Sequence, residues 1–360
     1  MFIHNAWYVA ARTAEVAPGA VLRRVLLGIP LVLFRGADAT VGALDDRCSH
    51  RLARLSQGSC VNGNLQCVYH GARFNTGGEC LEFPGQEKAL KGADVQSYPV
   101  RERFGLIWVW PGDHEQSHDE SSIPDFLSYG ADPYIASDGE MMGFGSDYRL
   151  VVDNLLDAAH AAYVHKSTFG SPIWLASGTD KGIAASEAKF DFQTSDSGIA
   201  YQYQVRNGLQ GPAFVEAYAR CKGIEPDYQQ PLDIALEAEW RAPGLFIFMN
   251  ILGPLDGSDE DRVCLTAFHF LSPETETTTN YYFRTSYRMI DRDDVFGEFW
   301  HQTASRAFHE DKAVIEAQQE NIGTVDLYDH PVVSYPSDQL AIQGRRVLDR
   351  LAEMESSVTS

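Results

Sequence analysis

The 360-residue chain is 44% hydrophobic, long and apolar enough to bury a large core divided between two domains. Its 29 Lys and Arg against 50 Asp and Glu give a net charge of −21, which argues against an extended phosphate-binding surface and so against nucleic acid as a partner. The longest apolar runs, "VLLGIPLVLF" from Val25 and "GLFIFMNILGP" from Gly244, fall far short of the ~20 residues of a membrane-spanning helix. They read as buried strands, and no membrane association is expected.

In chain order, the N-terminal "MFIHNAWYVAA" has no basic segment ahead of an apolar one, so the expected location is cytoplasmic. From Ala20 to about Pro111, short β-rich runs ("VLRRVLLG", "PLVLFRG", "TVGALDD", "FGLIWVW") alternate with Gly, Asp and Asn turns, which predicts a small all-β domain. The polar, acidic stretch "PGDHEQSHDESSIPD" at 111–125 is bounded by prolines as a linker is, placing the boundary between residues 115 and 116. Beyond it, alternating runs ("FDFQTS", "IAYQYQV", "ALEAEWRA", "GLFIFMNIL", "VCLTAFHFLS", "TNYYFRTSYRM") predict one large antiparallel sheet. Two helical patterns follow, roughly Asp293 to Asn321 and Gln339 to Met354, making the domain at 116–360 α+β.

Four of the six cysteines fall between Cys48 and Cys80. In "CSHRLARLSQGSCVNGNLQCVYHG", Cys48 and His50 form C-x-H, and Cys67 and His70 form C-x-x-H. Each loop thus offers one thiolate and one imidazole, as a two-iron cluster requires when one iron takes both Cys and the other both His. Neutral imidazoles in place of two thiolates raise the potential of such a centre to roughly −150 to +300 mV, suited to passing single electrons. A Cys₂His₂ zinc site is the alternative, but zinc usually pairs Cys with Cys and His with His. Gly71 suits a close passage of backbone, while Cys60 and Cys80 lack ligand spacing and read as packing thiols.

These paired loops resemble the N-terminal domain of the Rieske non-haem iron oxygenases, and the resemblance extends over nearly the whole chain. One departure is Leu52, where relatives usually carry Gly after the His-Arg pair. The resemblance implies a helix-grip (START-like) fold for the second domain, a [2Fe–2S] cluster, and a mononuclear Fe(II) with vacant positions for O₂.

"VVDNLLDAAHAAYVH", residues 151–165, supplies histidine candidates for that iron, His160 and His165. Five steps along a regular helix leave two side chains about 140° apart. Either one histidine is ordinary, or the helix unwinds or bulges between them so that both reach one ion. For the carboxylate, Phe296, Phe299, Trp300, Ala304, Ala307, Phe308, Val314 and Ile315 repeat at three and four. Asp311 falls on that stripe, as a metal ligand or a buried salt-bridge partner, and Glu310 reads as solvated. The family resemblance makes Asp311 the iron carboxylate, since "FHEDKAVIEAQQ" is similar to the helix that supplies it. It also implies that Asp157 joins the Rieske His70 of a neighbouring subunit to His160 in a homotrimer, and that Asn154 lies near the iron.

The stretches "NAWYVAA", "PGQE" and "HFLSPETE" are similar to the branch containing vanillate O-demethylase, dicamba monooxygenase and toluenesulfonate methyl-monooxygenase. That implies monooxygenation of a methyl or methoxy carbon on a small aromatic substrate, with O₂ and with NADH-derived electrons from a separate reductase or ferredoxin. The chain itself shows no G-x-G-x-x-G fingerprint. Alignment to that branch offers Phe248, His269 and Gln302 as substrate-facing residues. Ring hydroxylation or dihydroxylation, or N-demethylation, is the alternative on the same scaffold. A Rieske electron carrier without oxygenase chemistry fits less well, because it leaves His160, His165 and Asp311 without a task.

Overall fold

The computed structural model describes residues 1–86, 91–113, 120, 123, 125, 134–135, 139–171, 189–288, 293–324 and 326–358. Most of the expected linker at 111–125 lies outside the described residues. The chain divides into two compact units, Met1–Pro124 with Leu271–Asn280, and Asp125–Phe270 with Tyr281–Ser360.

The first unit is all-β. Strands β1 (Tyr8–Arg12), β2 (Val21–Leu26), β3 (Ile29–Arg35), β4 (Val41–Asp45), β5 (Ser59–Val61), β6 (Asn64–Gln66), β7 (Arg73–Phe74), β8 (Cys80–Glu82), β9 (Ser97–Tyr98), β10 (Val100–Arg103) and β11 (Leu106–Val109) form three sheets. Their orders are β1-β11-β10, β2-β3-β4-β9 and β5-β6-β7-β8. The run from Val25 turns back on itself at Leu27 and Gly28, both left-handed (φ 52° and 78°), so β2 and β3 form a hairpin with Leu26 opposite Ile29. Phe34, Leu44, Leu55, Leu65 and Phe74 build one apolar core, and Cys48, Cys67 and Cys80 are buried in it.

The second unit carries the large antiparallel sheet. Its strands are β12 (Tyr134–Ile135), β13 (Glu140–Phe144), β14 (Lys189–Thr194), β15 (Gly198–Gly208), β16 (Leu232–Arg241), β17 (Leu245–Leu252), β18 (Val263–Thr275) and β19 (Thr278–Arg288). Their order is β12-β19-β18-β17-β16-β15-β14, with β13 also on β19. Register puts Leu236 opposite Asn250, Phe248 opposite Ala267 and Phe246 opposite His269. Side chains alternate along strands, so Tyr201, Leu236, Phe248, Asn250, Ala267 and His269 share one face of the sheet.

Helices α1 (Tyr148–Leu156), α2 (Ala161–Val164), α3 (Pro212–Lys222), α4 (Asp294–Ile322) and α5 (Gln339–Val358) complete this unit. Asp293 caps α4 by accepting from the Val295 and Phe296 amides. The buried stripe of α4 runs Phe296, Trp300, Ala304, Phe308, Asp311, Ile315, and Val314, expected on it, is instead 51% exposed. Arg345 on α5 grips the half-buried Asp153 of α1 with hydrogen bonds of 2.6 and 3.0 Å, anchoring the helix that leads into the histidine segment.

Candidate active site

Two side-chain clusters stand out, one in each unit. In the first, the loop after β4 and the loop after β6 close with the same pair of backbone bonds. The Cys48 amide donates to the Ala53 carbonyl and the Leu52 amide to Cys48. Likewise the Cys67 amide donates to Ala72 and the Gly71 amide to Cys67, all at 2.8–3.0 Å. Leu52 and Gly71 therefore hold equivalent places, and both take positive φ, 57° and 77°. Glycine adopts that conformation without steric cost, whereas leucine pays for it, and the 71% exposure of Leu52 shows that little packing is gained in return.

The loops bring His50 Nδ1 to 3.2 Å from His70 Nδ1, with ring centroids 4.6 Å apart. Both imidazoles are exposed while Cys48 and Cys67 are buried. Burial, with Cys67 nearby, pushes the Cys48 thiol up. Two ligands about 2.1 Å from one metal at near-right angles lie about 3 Å apart, so the paired Nδ1 atoms fit a shared iron. Cys60 and Cys80 pack with the core and all six cysteines are free thiols.

In the second unit, α1 ends at Leu156 because Asp157 turns out of the helix (ψ 106°) and its Oδ1 accepts the Ala159 amide at 2.8 Å. Such a side-chain turn competes with helical bonding. The break therefore lies ahead of His160, and not between the two histidines as expected from their spacing. Between them α2 is one intact turn, in which the Val164 amide donates to His160 and the His165 amide to Ala161. The histidines flank this turn, and the far ring nitrogens, not a backbone bulge, make up the angular difference. Gly170 closes the segment: its amide donates to the His165 carbonyl at 2.6 Å, and a Cβ there would meet that same oxygen at 2.6 Å.

His160 Nε2 and His165 Nε2 lie 3.3 and 3.2 Å from one oxygen of Asp311, Oδ1. Ligand atoms of the three residues are within 4.8 Å of one another, an arrangement that could hold a single metal ion. Asp311 is 6% exposed. Burial works against its charge, but the two histidines outweigh that and hold its carboxyl at about 2. His160 is also opposed by burial, and Asp157 and Asp311 overcome it, raising the imidazolium to about 9. Asn154 Nδ2 donates to Asp311 Oδ1 at 3.3 Å, and Asp157 Oδ2 lies 3.8 Å from His160 Nδ1.

Glu310 is not solvated as its helical phase suggests. Its carboxylate meets His165 Nδ1 at 2.9 Å and accepts from the Ser167 hydroxyl at 2.5 Å and the Thr168 hydroxyl at 2.8 Å. An Nδ1–H held by a carboxylate directs the Nε2 lone pair to a metal. No local pattern marks Glu310, because its partners lie 142 to 145 residues upstream.

An apolar cavity adjoins these ligands. Phe248, Asn250 and His269 line it from the sheet, and Trp300, Ala304 and Phe308 from α4. Gln302 lies outside it: two residues past Trp300 it points about 200° away, where it is exposed and its amide donates to Glu298 at 2.5 Å. His269 is fully buried, 2.5 Å from the Tyr281 hydroxyl through Nδ1, and burial holds it neutral down to about 3. Tyr281 carries no local sequence signal for this contact, which forms only where β18 and β19 lie side by side in the sheet.

Residues 6–99 match the Rieske [2Fe–2S] domain, and residues 144–354 match the vanillate O-demethylase oxygenase C-terminal domain. The chain is 33% identical, over the full length of both, to a putative toluene-4-sulfonate monooxygenase system iron-sulfur subunit of Comamonas testosteroni. It is 31% identical to the oxygenase component of dicamba O-demethylase of Stenotrophomonas maltophilia, over 99% of each chain. The crystal structure of dicamba monooxygenase bound to 3,6-dichlorosalicylic acid superposes with a TM-score of 0.86 at 30% identity, covering 99% of each chain. The cofactors are a Rieske [2Fe–2S] cluster and a mononuclear non-haem iron, the latter also held by a solved dicamba monooxygenase. With the specific domain pair, full-length relatives and a donor set that fits both centres, the chain belongs to the Rieske non-haem iron oxygenases of the vanillate O-demethylase type.

Proposed function

We propose that this protein is the terminal oxygenase component of a monooxygenase that hydroxylates a methyl or methoxy carbon of a small aromatic substrate. With a methoxy substrate, O₂ and two electrons from NADH give the phenol, formaldehyde and water, because the hydroxylated carbon is a hemiacetal that collapses. The electrons come through a separate reductase or ferredoxin. One observation carries the reading: His160, His165 and Asp311 converge beside an apolar, aromatic-walled cavity in a chain that also carries the Cys48, His50, Cys67 and His70 loops.

When bound, the cluster supplies single electrons and the mononuclear iron supplies O₂ activation. Residues 1–115 form the cluster domain, with Cys48 and Cys67 on one iron and His50 and His70 on the other. Residues 116–360 form the catalytic domain, in which His160, His165 and Asp311 would hold the mononuclear iron. Asn154 steadies Asp311 through its 3.3 Å hydrogen bond. Phe248, Trp300 and Phe308 provide apolar walls for a flat ring and exclude water, and His269 contacts a polar group of the substrate. Asp157 is the residue that would link His160 to the partner subunit's His70 in a head-to-tail homotrimer, in the cytoplasm. Among the described residues no helix is long and apolar enough to cross a membrane.

The test is a screen of methoxylated and methylated aromatics with an NADH-driven reductase, scoring oxygen uptake and formaldehyde. Formaldehyde stoichiometric with oxygen from at least one methoxy substrate is expected. Ring diols with no formaldehyde across the panel would overturn the reading.

A further inference from the structure

The chain's negative charge is unevenly spread. Residues 1–124 carry 12 Lys and Arg against 13 Asp and Glu, whereas residues 125–360 carry 17 against 37. In the nearly balanced part the arginines fall into two groups. Arg12, Arg23, Arg24, Arg35, Arg73 and Arg101 each meet a carboxylate. Arg47, Arg51 and Arg54, in the loop "RCSHRLAR" that carries Cys48 and His50, are exposed and meet none among the described residues. That loop has no acid of its own. Three guanidinium groups within eight residues, none neutralised by an ion pair, set a positive field around the exposed His50.

Leu52 sits inside this collar. It holds a left-handed backbone that costs a leucine free energy, and its exposed side chain returns no packing to the fold. Strain of this kind persists at sites that serve contact with another molecule. Val68 and Tyr69 of the second loop are exposed as well. Exposed apolar side chains rimmed by charge have the anatomy of a protein–protein contact. Cys48 and Cys67 are buried while His50 and His70 are exposed, so an electron from outside reaches the cluster through the histidine edge. The two histidines differ there. Tyr69 lies over His70, with ring centroids 4.0 Å apart, and His70 is the one read above as facing the neighbouring subunit. His50 is flanked along the chain by Arg47, Arg51 and Leu52.

We propose that the His50 loop is the docking face for the separate electron donor, and that this donor is a protein presenting an acidic surface around its own cofactor. One electron leaves the reduced carrier and the oxidised cluster gains it, with no bond made or broken. His50 is the edge of entry and His70 the edge of exit. This rests on the oxygenase reading above, which requires an outside donor. A small contact steered by charge suits a carrier that must leave after each electron.

The probe is an acidic plant-type [2Fe–2S] ferredoxin. Binding of its oxidised form to the cluster-loaded protein is measured by biolayer interferometry. Electron transfer from its reduced form is followed by stopped-flow absorbance, with the methyl viologen radical cation as a reductant of opposite charge. Overall charge predicts that two anionic proteins bind more tightly as salt is added. The collar predicts the reverse: from about 0.1 M to about 1 M salt, where the screening length falls from about 10 to about 3 Å, affinity and rate should drop at least about tenfold. Arg51→Glu combined with Arg54→Glu should cost a similar factor at the lower salt, without slowing viologen reduction or changing the Rieske EPR signal. Leu52→Gly should bind the ferredoxin about tenfold more weakly while melting no lower than the parent, a pairing that a folding lesion does not produce. Binding that strengthens with salt, or an unchanged affinity in the paired Glu variant, would overturn the docking face. Unchanged affinity in Leu52→Gly would remove Leu52 from it. Dissociation of an oligomer by the Glu substitutions would assign the collar to a second copy of this chain and overturn the donor assignment. A protein that neither reductant reduces would overturn the oxygenase reading instead.

Discussion

Replacing Glu310 by Ala should loosen the mononuclear iron while leaving the [2Fe–2S] cluster intact. The carboxylate holds the His165 Nδ1 at 2.9 Å and is itself braced by Ser167 and Thr168. Its removal frees the imidazole to rotate or change tautomer, and leaves the half of the ring facing away from Asp311 without a partner. Loss of such an outer carboxylate typically costs 10–100-fold in metal affinity, about 1.4–2.7 kcal/mol. Glu310→Gln keeps an acceptor oxygen in reach and is expected to stay within a few-fold of the parent. The assay is Fe(II) titration of the mononuclear-depleted protein against a competing chelator, with cluster content read in parallel from visible absorbance. An Ala variant that binds Fe(II) as tightly as the parent would refute the reasoning. Equal losses for Ala and Gln would show that the charge of Glu310, and not its hydrogen bond, supports the site.

Further outcomes follow from single positions. Leu52→Gly should raise stability by roughly 1 kcal/mol, since the left-handed φ of 57° penalises leucine and its exposed side chain packs little; a lower melting temperature of the cluster-loaded protein would count against this. Gly170→Ala should displace the His165 backbone, because the added Cβ meets its carbonyl at 2.6 Å, and the check is loss of mononuclear iron with cluster retained. His269 has a folded value of about 3, below the 6.5 of the unfolded chain. It therefore contributes stability in full above pH 6.5 and loses it as pH falls from 6.5 towards 3, by up to about 1.4 kcal/mol per pH unit. Denaturant titrations at pH 7.0 and 5.5 should show that His269→Asn lacks this part of the decline, and parallel declines in both proteins would contradict it.

The parts legible in the sequence were those carried by short spacings. C-x-H and C-x-x-H each sit within one turn of chain, so the cluster loops could be recognised before folding. The three-four stripe of α4 likewise brought Asp311 inward among 50 acidic residues. What escaped depends on residues distant in sequence or on competing local bonds. Glu310 lies off the stripe and acquires its role only when the His165 segment folds against α4. The helix break was misplaced because the angle between His160 and His165 was assigned to the backbone. The Asx turn at Asp157 and the reach of the Nε2 atoms account for it instead. Gln302 could have been set aside by the same helical arithmetic, since Trp300 and Ala304 on either side face the cavity. Tyr281 meets His269 only through the pairing of β18 with β19, which no local spacing announces.

The central claim is that one chain holds two iron centres on two separate sets of ligands. Metal and acid-labile sulfide analysis, with an EPR spectrum of the dithionite-reduced protein, tests it directly when parent and Asp311→Ala are compared. The parent should contain about three irons and two sulfides per chain with a Rieske signal. The variant should fall to about two irons with that signal unchanged. Bound zinc without the signal, or three irons retained in the variant, would contradict the account.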